Sequence, residues 1–207
     1  MSRVRKQARA EHYFSARPTA AGGRRTFHTV LRGQDFQFVT EAGVFSRGRV
    51  DAGTRLLIEH MEVSPTDRFL DLGCGYGVVG VVGSRLASRG EAVLVDVNRR
   101  AVGLARENLR LNRIPNAEAR VGDGFAPVGA ERFDVIALNP PIRAGLSVVS
   151  RLIEEAAPHL ETKGRFYLVA RTRQGAVRLA EKMRAVFGSA EEAAKGGGYR
   201  VFLARRG

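Results

Sequence analysis

The most distinctive chemistry in the chain sits at Asn139 and Pro140, within "LNPPIRAG" at residues 138–145. The pair follows an apolar run, "FDVIAL", that reads as a buried strand, and two successive prolines cannot continue a central strand. The side-chain oxygen of Asn139 accepts a hydrogen bond, and so does the carbonyl of Pro140. Two neighbouring acceptors suit a planar NH₂ group, whose two N–H bonds they can take together. Gripping both hydrogens holds the nitrogen as it loses planarity and steadies the positive charge that develops there during attack on an electrophile. The proton turns acidic only after the new bond forms, so no strong base is needed first, and no His, Lys or Cys stands next to Asn139. The prolines keep the carbonyl pointing one way. Taken alone, the same stretch also suits a plain turn.

A second constellation lies upstream in "LDLGCGYGVVG", residues 70–80. Gly73, Gly75 and Gly77 sit between an apolar strand and a helix, where missing side chains let a ligand approach the backbone and the helix N-terminus. Gly75 to Gly80 also fits the G-x-G-x-x-G spacing, which gains meaning from the strand, turn and helix around it. Asp96 ends "VLVD", 23 residues after Gly73, where a carboxylate can accept from both ribose hydroxyls. A nucleoside-containing cofactor follows, either a dinucleotide or S-adenosylmethionine. Asp71, immediately before the loop, favours the second: it would repel a pyrophosphate but suits a ligand carrying an ammonium and a sulfonium. Asp71 could instead cap the following turn. Asp123, in "GDG" at 122–124, could accept from an adenine amino group or simply serve its turn. Cys74 has no neighbouring base and reads as a small packing residue.

These residues need a scaffold, and the chain alternates strands and helices from about residue 66 onward. Alternation of this kind implies an α/β fold with a mostly parallel sheet and helices on both faces. Two further strands around Gly196–Gly198 predict a C-terminal antiparallel hairpin. Upstream, alternating residues on both sides of "RGQD" predict a β-hairpin over 25–40. A helix follows, with Asp51 as N-cap and Leu56, Leu57, Ile58 and Met61 on its buried side. The expected division is 1–64, a basic arm, hairpin and helix packed on the remainder, and 65–207, the cofactor-binding domain.

Thirty-four Lys and Arg against 21 Asp and Glu give a formal charge of +13, which points to a polyanionic partner. Eight of the basic residues, Arg3, Arg5, Lys6, Arg9, Arg17, Arg24, Arg25 and Arg32, fall in the first 32 positions and read as a backbone-contacting arm. Cys74 is the sole cysteine, which excludes an intrachain disulfide, and the four histidines are too scattered for a metal site, so no metal is expected. The sequence contains neither a transmembrane-length apolar run nor a signal-peptide core, so a cytoplasmic protein without a membrane partner is expected.

The combination "LDLGCGYG", "VLVDVN", "GDG" and "NPPI" resembles the class I S-adenosylmethionine-dependent methyltransferases. Within them it is similar to the small-domain group that modifies the exocyclic N2 of guanine in 16S ribosomal RNA. "HYFSARP" at 12–18 and "FVTEAGVFSRGRVDAGTRLL" at 38–57 resemble the segments preceding the catalytic fold in that group. The resemblance implies a Rossmann-like fold with a seven-stranded sheet, S-adenosylmethionine as cofactor, and ribosomal RNA or the small ribosomal subunit as partner. It implies Asp71, Gly73 and Gly75 around the methionine portion, Asp96 on the ribose and Asp123 near the adenine. Asn139 and Pro140 would hold the target amine. Phe45, Pro141, Ile142 and Arg143 would contact the substrate. Ile142 departs from the aromatic residue that many amino-methylating enzymes carry after the two prolines, which disfavours a stacked adenine target. Two alternatives remain: methylation of a protein glutamine amide, also a planar NH₂, and an RNA-binding protein that keeps the fold without catalysis.

Overall fold

The computed structural model describes residues 23–41, 49–140 and 145–207. The hairpin forms where the alternation predicts it, as β1 (Arg25–Leu31) and β2 (Gln34–Thr40). Arg32 and Gly33 between them have φ of 51° and 70°. Positive φ at both central residues makes the turn whose twist matches its strands. Helix α1 (Ala52–His60) starts at Asp51, whose Oδ1 accepts from the Gly53 and Thr54 amides at 3.0 and 3.1 Å.

The alternating part of the chain then folds as β3 (Arg68–Leu72), α2 (Val78–Leu86), β4 (Glu91–Asp96), α3 (Arg99–Leu111), β5 (Ala117–Val121), β6 (Phe133–Leu138), α4 (Leu146–His159), β7 (Leu160–Arg171) and α5 (Ala176–Phe187). The chain closes with β8 (Glu191–Gly196) and β9 (Tyr199–Arg205). The sheet order is β5-β4-β3-β6-β7-β9-β8. Strands β3 to β7 pair in parallel, whereas β9 runs antiparallel to both β7 and β8. The terminal hairpin therefore inserts its second strand, not its first, beside β7. Strand β7 begins four residues before the apolar "GRFYLVA", because Lys163 and Gly164 bond to Arg206 across the end of the hairpin at 2.9 and 3.0 Å.

Both faces of the sheet are covered, as period-two burial requires for a parallel sheet. Phe69, Val135, Ala137, Tyr167 and Val169 face one core, shared with α1, α2, α3 and the β1–β2 hairpin. Leu70, Ile136, Leu138, Phe166 and Leu168 face the other, covered by α4 and α5. Two glycines let α2 lie close to the sheet: a Cβ at Gly80 would stand 2.3 Å from Leu94, and one at Gly83 would stand 2.5 Å from Phe69.

The hairpin is fastened to the sheet domain by asparagines. Asn112, the C-cap of α3, pairs with both backbone groups of Gln37, and Asn108 within the helix pairs with both of Val39, at 2.7–3.0 Å. Side-chain amides thus supply the ladder that a third strand would offer the edge of β2. Two residues assigned to a basic arm are engaged with the protein itself. Arg24 pairs with Glu107 and Glu41, and Arg32 donates to the Glu59 carbonyl at 2.9 Å, at the C-terminus of α1. Of the rest of that arm, Arg25 lies in β1, while residues 1–22 lie outside the described residues. Among the described residues, no helix is long and apolar enough to cross a membrane.

Candidate active site

The sheet's connections reverse direction between β3 and β6, which are neighbours. Open α/β sheets form a crevice at that point, beyond the carboxyl ends of the strands. Register decides what enters it. Leu72 pairs with Leu138 and with Val95, so Gly73, Asn139 and Asp96 follow side by side. One crevice is lined by Asp71, Gly73, Gly75, Asp96, Asp123, Asn139 and Pro140, the described residues that the resemblance assigns to cofactor and target, while Gly77 of the same loop is not among its lining residues. Phe45, Pro141, Ile142 and Arg143 lie outside the described residues.

The glycine loop is pinned by its neighbour strand. The amides of Gly73 and Cys74 both donate to the Val95 carbonyl, at 2.8 and 2.9 Å. Gly73 and Gly75 have φ of 74° and 56°, and beyond the adjoining residues no heavy atom lies within 4 Å of where their Cβ atoms would be. The loop therefore presents bare backbone to open space, as close approach of a ligand demands. Asp96 braces it from the side: Oδ2 accepts from Gly75 N at 2.9 Å and Oδ1 from Asn98 N at 2.8 Å. Burial pushes the Asp96 carboxyl above its ordinary range.

Asp71 is 2% exposed, and its Oδ2 accepts from Gly80 N at 2.7 Å. Helix α2 begins after Gly77, which has no side chain to cap it, so Asp71 satisfies one of the free first-turn amides from the adjacent strand. Its pKa rises from 3.8 to about 7, chiefly through burial and partly through the nearby Asp96 charge, against the lowering effect of the Gly80 bond. The Cys74 thiol is likewise pushed well up by burial and by both carboxylates, so it stays protonated and inert. Asp123 differs from its two acidic neighbours. Its side chain is 68% exposed, and both oxygens accept from Arg151 of α4, at 2.9 and 3.1 Å.

The Asn139 amide is anchored from outside the β/α repeat. Its Nδ2 donates to Thr54 Oγ1 at 2.8 Å, and the Thr54 hydroxyl donates to Asp51 Oδ2. Asp51 and Thr54 line the same crevice. Reading the sequence found Asp51 only as a helix cap and missed Thr54 and Arg151. The available signal for Thr54 was a small hydroxyl residue three positions after a capping Asp, in a helix that otherwise buries aliphatic side chains. Val148, Val149 and Leu152 of α4 close the crevice with an apolar wall.

The family described as Methyltransferase small domain matches residues 35–203. An uncharacterised protein of Bacillus subtilis (strain 168), YbxB, is 38% identical over 200 residues, covering 95% of this chain and 99% of that one. Ribosomal RNA small subunit methyltransferase C of Pseudomonas entomophila (strain L48) is 32% identical over 205 residues, covering 97% of this chain and 60% of that one. Among solved structures, the T. thermophilus 16S rRNA N2 G1207 methyltransferase (RsmC), in complex with AdoMet and guanosine, superposes with a TM-score of 0.81 at 28% identity, covering 92% of this chain and 52% of that one. The chain thus spans about half to three-fifths of the length of these ribosomal methyltransferases. A glycine loop and an Asn-Pro corner meeting at the switch point of a seven-stranded sheet, within a match that runs nearly end to end, have one common explanation: the chain belongs to the methyltransferase small-domain family.

Proposed function

We propose that this protein transfers a methyl group from S-adenosylmethionine to an exocyclic amine, N2 of guanine in 16S ribosomal RNA, acting on the RNA or the small ribosomal subunit in the cytoplasm. The observation that carries the reading is the meeting of Asn139 and Pro140 with the bare glycine loop and Asp96 in a single crevice. The crevice fits the cofactor. Open space over Gly73 and Gly75 receives its amino-acid portion, and Asp96 stands one strand away for the ribose. The carboxylates of the buried Asp71 and the half-buried Asp96 in this crevice favour a cationic ligand over a pyrophosphate. Asp123 lies at the edge for the adenine, with Arg151 fixing its carboxylate.

When bound, S-adenosylmethionine supplies an electrophilic methyl on a sulfonium. The chain's own contribution is placement. Asn139 Oδ1 and the Pro140 carbonyl accept the two N–H bonds of the target amine and aim its nitrogen. They also stabilise the positive charge that grows on it, and the proton leaves afterwards to water. In this reading residues 65–207 carry the cofactor chemistry, and residues 1–64 supply RNA contacts and buttress the site. The same reading assigns Phe45, Pro141, Ile142 and Arg143 to substrate binding. The similarity to RsmC supports the guanine assignment, and the similarity to the Pseudomonas small-subunit methyltransferase supports ribosomal RNA as substrate.

The test is incubation with methyl-labelled cofactor and small ribosomal subunits, both mature and partly assembled, followed by nuclease digestion. Label on guanine N2 is expected. Label on adenine N6 overturns the choice of base. Label on a protein glutamine supports amide methylation instead, and failure to bind the cofactor removes the enzyme reading altogether.

A further inference from the structure

An asparagine amide can face a crevice in two nearly isosteric ways. One presents Oδ1, the other Nδ2, and they differ by a half-turn about the last torsion. Only the first can accept from an NH₂ target; the second would set donor against donor. Packing alone cannot choose between them, so the choice falls to the hydrogen-bond partner on the other side. For Asn139 that partner is Thr54 Oγ1, 2.8 Å from Nδ2.

A threonine hydroxyl is itself ambivalent, because it carries one donor and two acceptor positions. What removes the ambiguity is Asp51. A carboxylate only accepts. Its Oδ1 takes the Gly53 and Thr54 backbone amides at 3.0 and 3.1 Å, and its Oδ2 takes the Thr54 hydroxyl. The single hydrogen of Thr54 is thereby committed to Asp51, and a lone pair is left facing Asn139. Asn139 must then present its NH₂ to Thr54 and its oxygen to the crevice.

We propose that Asp51 and Thr54 are positioning residues: a one-way hydrogen-bond relay, Asn139 to Thr54 to Asp51, sets the Asn139 amide with its oxygen toward the target amine. The relay rests on the methyl-transfer reading given above. Its anchorage is rigid, since Asp51 is held by the first-turn amides of α1. That first turn is seated on β9: a Cβ at Gly53 would stand 2.6 Å from the Tyr199 ring. Thr54 is 5% exposed, which shields the hydroxyl at the centre of the relay from water that could supply a competing donor; Asp51 and Asn139 on either side are half-buried. The segment ahead of the β/α repeat thus specifies the chemistry at the end of β6.

Three variants separate this role from plain helix capping. Thr54→Val keeps the shape and removes the hydroxyl. Thr54→Ser keeps the hydroxyl. Asp51→Asn remains an equally good N-cap. In that variant the backbone amides hold the oxygen of the introduced amide, so its NH₂ faces Thr54 and reverses the polarity of the relay. A merely structural role predicts that Asp51→Asn is silent. The relay predicts a kcat lower by about 10- to 100-fold in Thr54→Val and Asp51→Asn. That is less than the ~10²–10³-fold typical of losing a direct partner. The KM for ribosomal subunits, the cofactor affinity and the melting temperature stay near wild type, and Thr54→Ser restores most of the rate.

A readout independent of activity is the side-chain amide of Asn139 in protein labelled with ¹⁵N-asparagine, which has five asparagines to resolve. Its signals are assigned by their loss in Asn139→Ala. One Asn139 amide proton should exchange slowly in wild type and Thr54→Ser, and rapidly in Thr54→Val. If Asn139 signals are the same in Thr54→Val as in wild type, the relay is wrong whatever the activity. If the amide moves but kcat stays within twofold, the relay exists without the proposed role, and the inference is overturned. If Thr54→Val does not fold, Asp51→Asn carries the same comparison. Should wild type transfer no methyl to guanine, the functional reading falls, while the amide comparison still decides the relay.

Discussion

Replacing Asp71 by asparagine should make the ligand-free protein more stable at pH 8 and remove part of its pH dependence. The carboxyl is buried, and its pKa rises from 3.8 to about 7, with burial as the leading cause. Below pH 3.8 the group is protonated whether the chain is folded or unfolded, and burial costs no charge. Between that point and about pH 7 the unfolded chain releases the proton while the folded chain keeps it. The folded state then holds more protons, so stability falls as pH rises. Above about pH 7 both states are ionised, and the full cost of a buried charge remains. At ~1.4 kcal/mol per pH unit, a rise from 3.8 to about 7 corresponds to roughly 4 kcal/mol. The amide introduced by Asp71→Asn cannot ionise, yet its oxygen can still accept from Gly80 N and cap α2. Urea denaturation of both proteins at intervals from about pH 4 to 8 measures the difference. The variant should gain progressively across this range, by up to about 4 kcal/mol at the upper end. A difference that stays flat with pH refutes the assignment of a raised pKa to Asp71. A variant less stable at pH 8 would mean that the charge–amide interaction outweighs desolvation. In the same samples, cofactor affinity at pH 8 should be lower in the variant, because the carboxylate complements a cationic ligand.

Other perturbations address the remaining parts of the structure. Asn139→Ala should lower kcat by about 10²–10³-fold while cofactor affinity, measured calorimetrically, changes little; equal loss of both would contradict its role toward the target. Asn108→Ala strands the Val39 amide, the Val39 carbonyl and the Tyr76 carbonyl, all bonded at 2.7–2.9 Å. At ~1–3 kcal/mol per unpaired buried group, a loss of about 3 kcal/mol or more is expected, with faster amide exchange in β2, and a loss under about 1 kcal/mol would show that the hairpin is held otherwise. Gly80→Ala gains ~1 kcal/mol of helix propensity but drives a methyl to 2.3 Å from Leu94, so net destabilisation of about 1–3 kcal/mol is expected in urea; net stabilisation would refute the close packing of α2.

Much of the scaffold was legible in the sequence because it depends on neighbours within a few residues. The turn at Arg32–Gly33, the cap at Asp51, the apolar runs of β3 and β6 and the glycine loop before α2 all follow from local backbone and burial preferences. Residue type and spacing along the chain also brought out Asn139, Pro140, Asp96 and the loop glycines, since strands of a parallel sheet carry such residues to one edge. Tertiary structure alone decided what those residues touch. That Asp71 also holds a first-turn amide of a helix became visible only once α2 folded back to place Gly80 N 2.7 Å from its oxygen. Arg24 and Arg32 look like free cations in sequence, but distant acids and a helix end claim them. β9 rather than β8 borders β7, because strand order is settled by long-range pairing that hairpin signals do not encode. The contact from Asn139 to Thr54 joins residues 85 positions apart, and both side chains can donate or accept. Sequence states which hydrogen-bonding groups exist; only the packed fold determines which lone pair meets which proton.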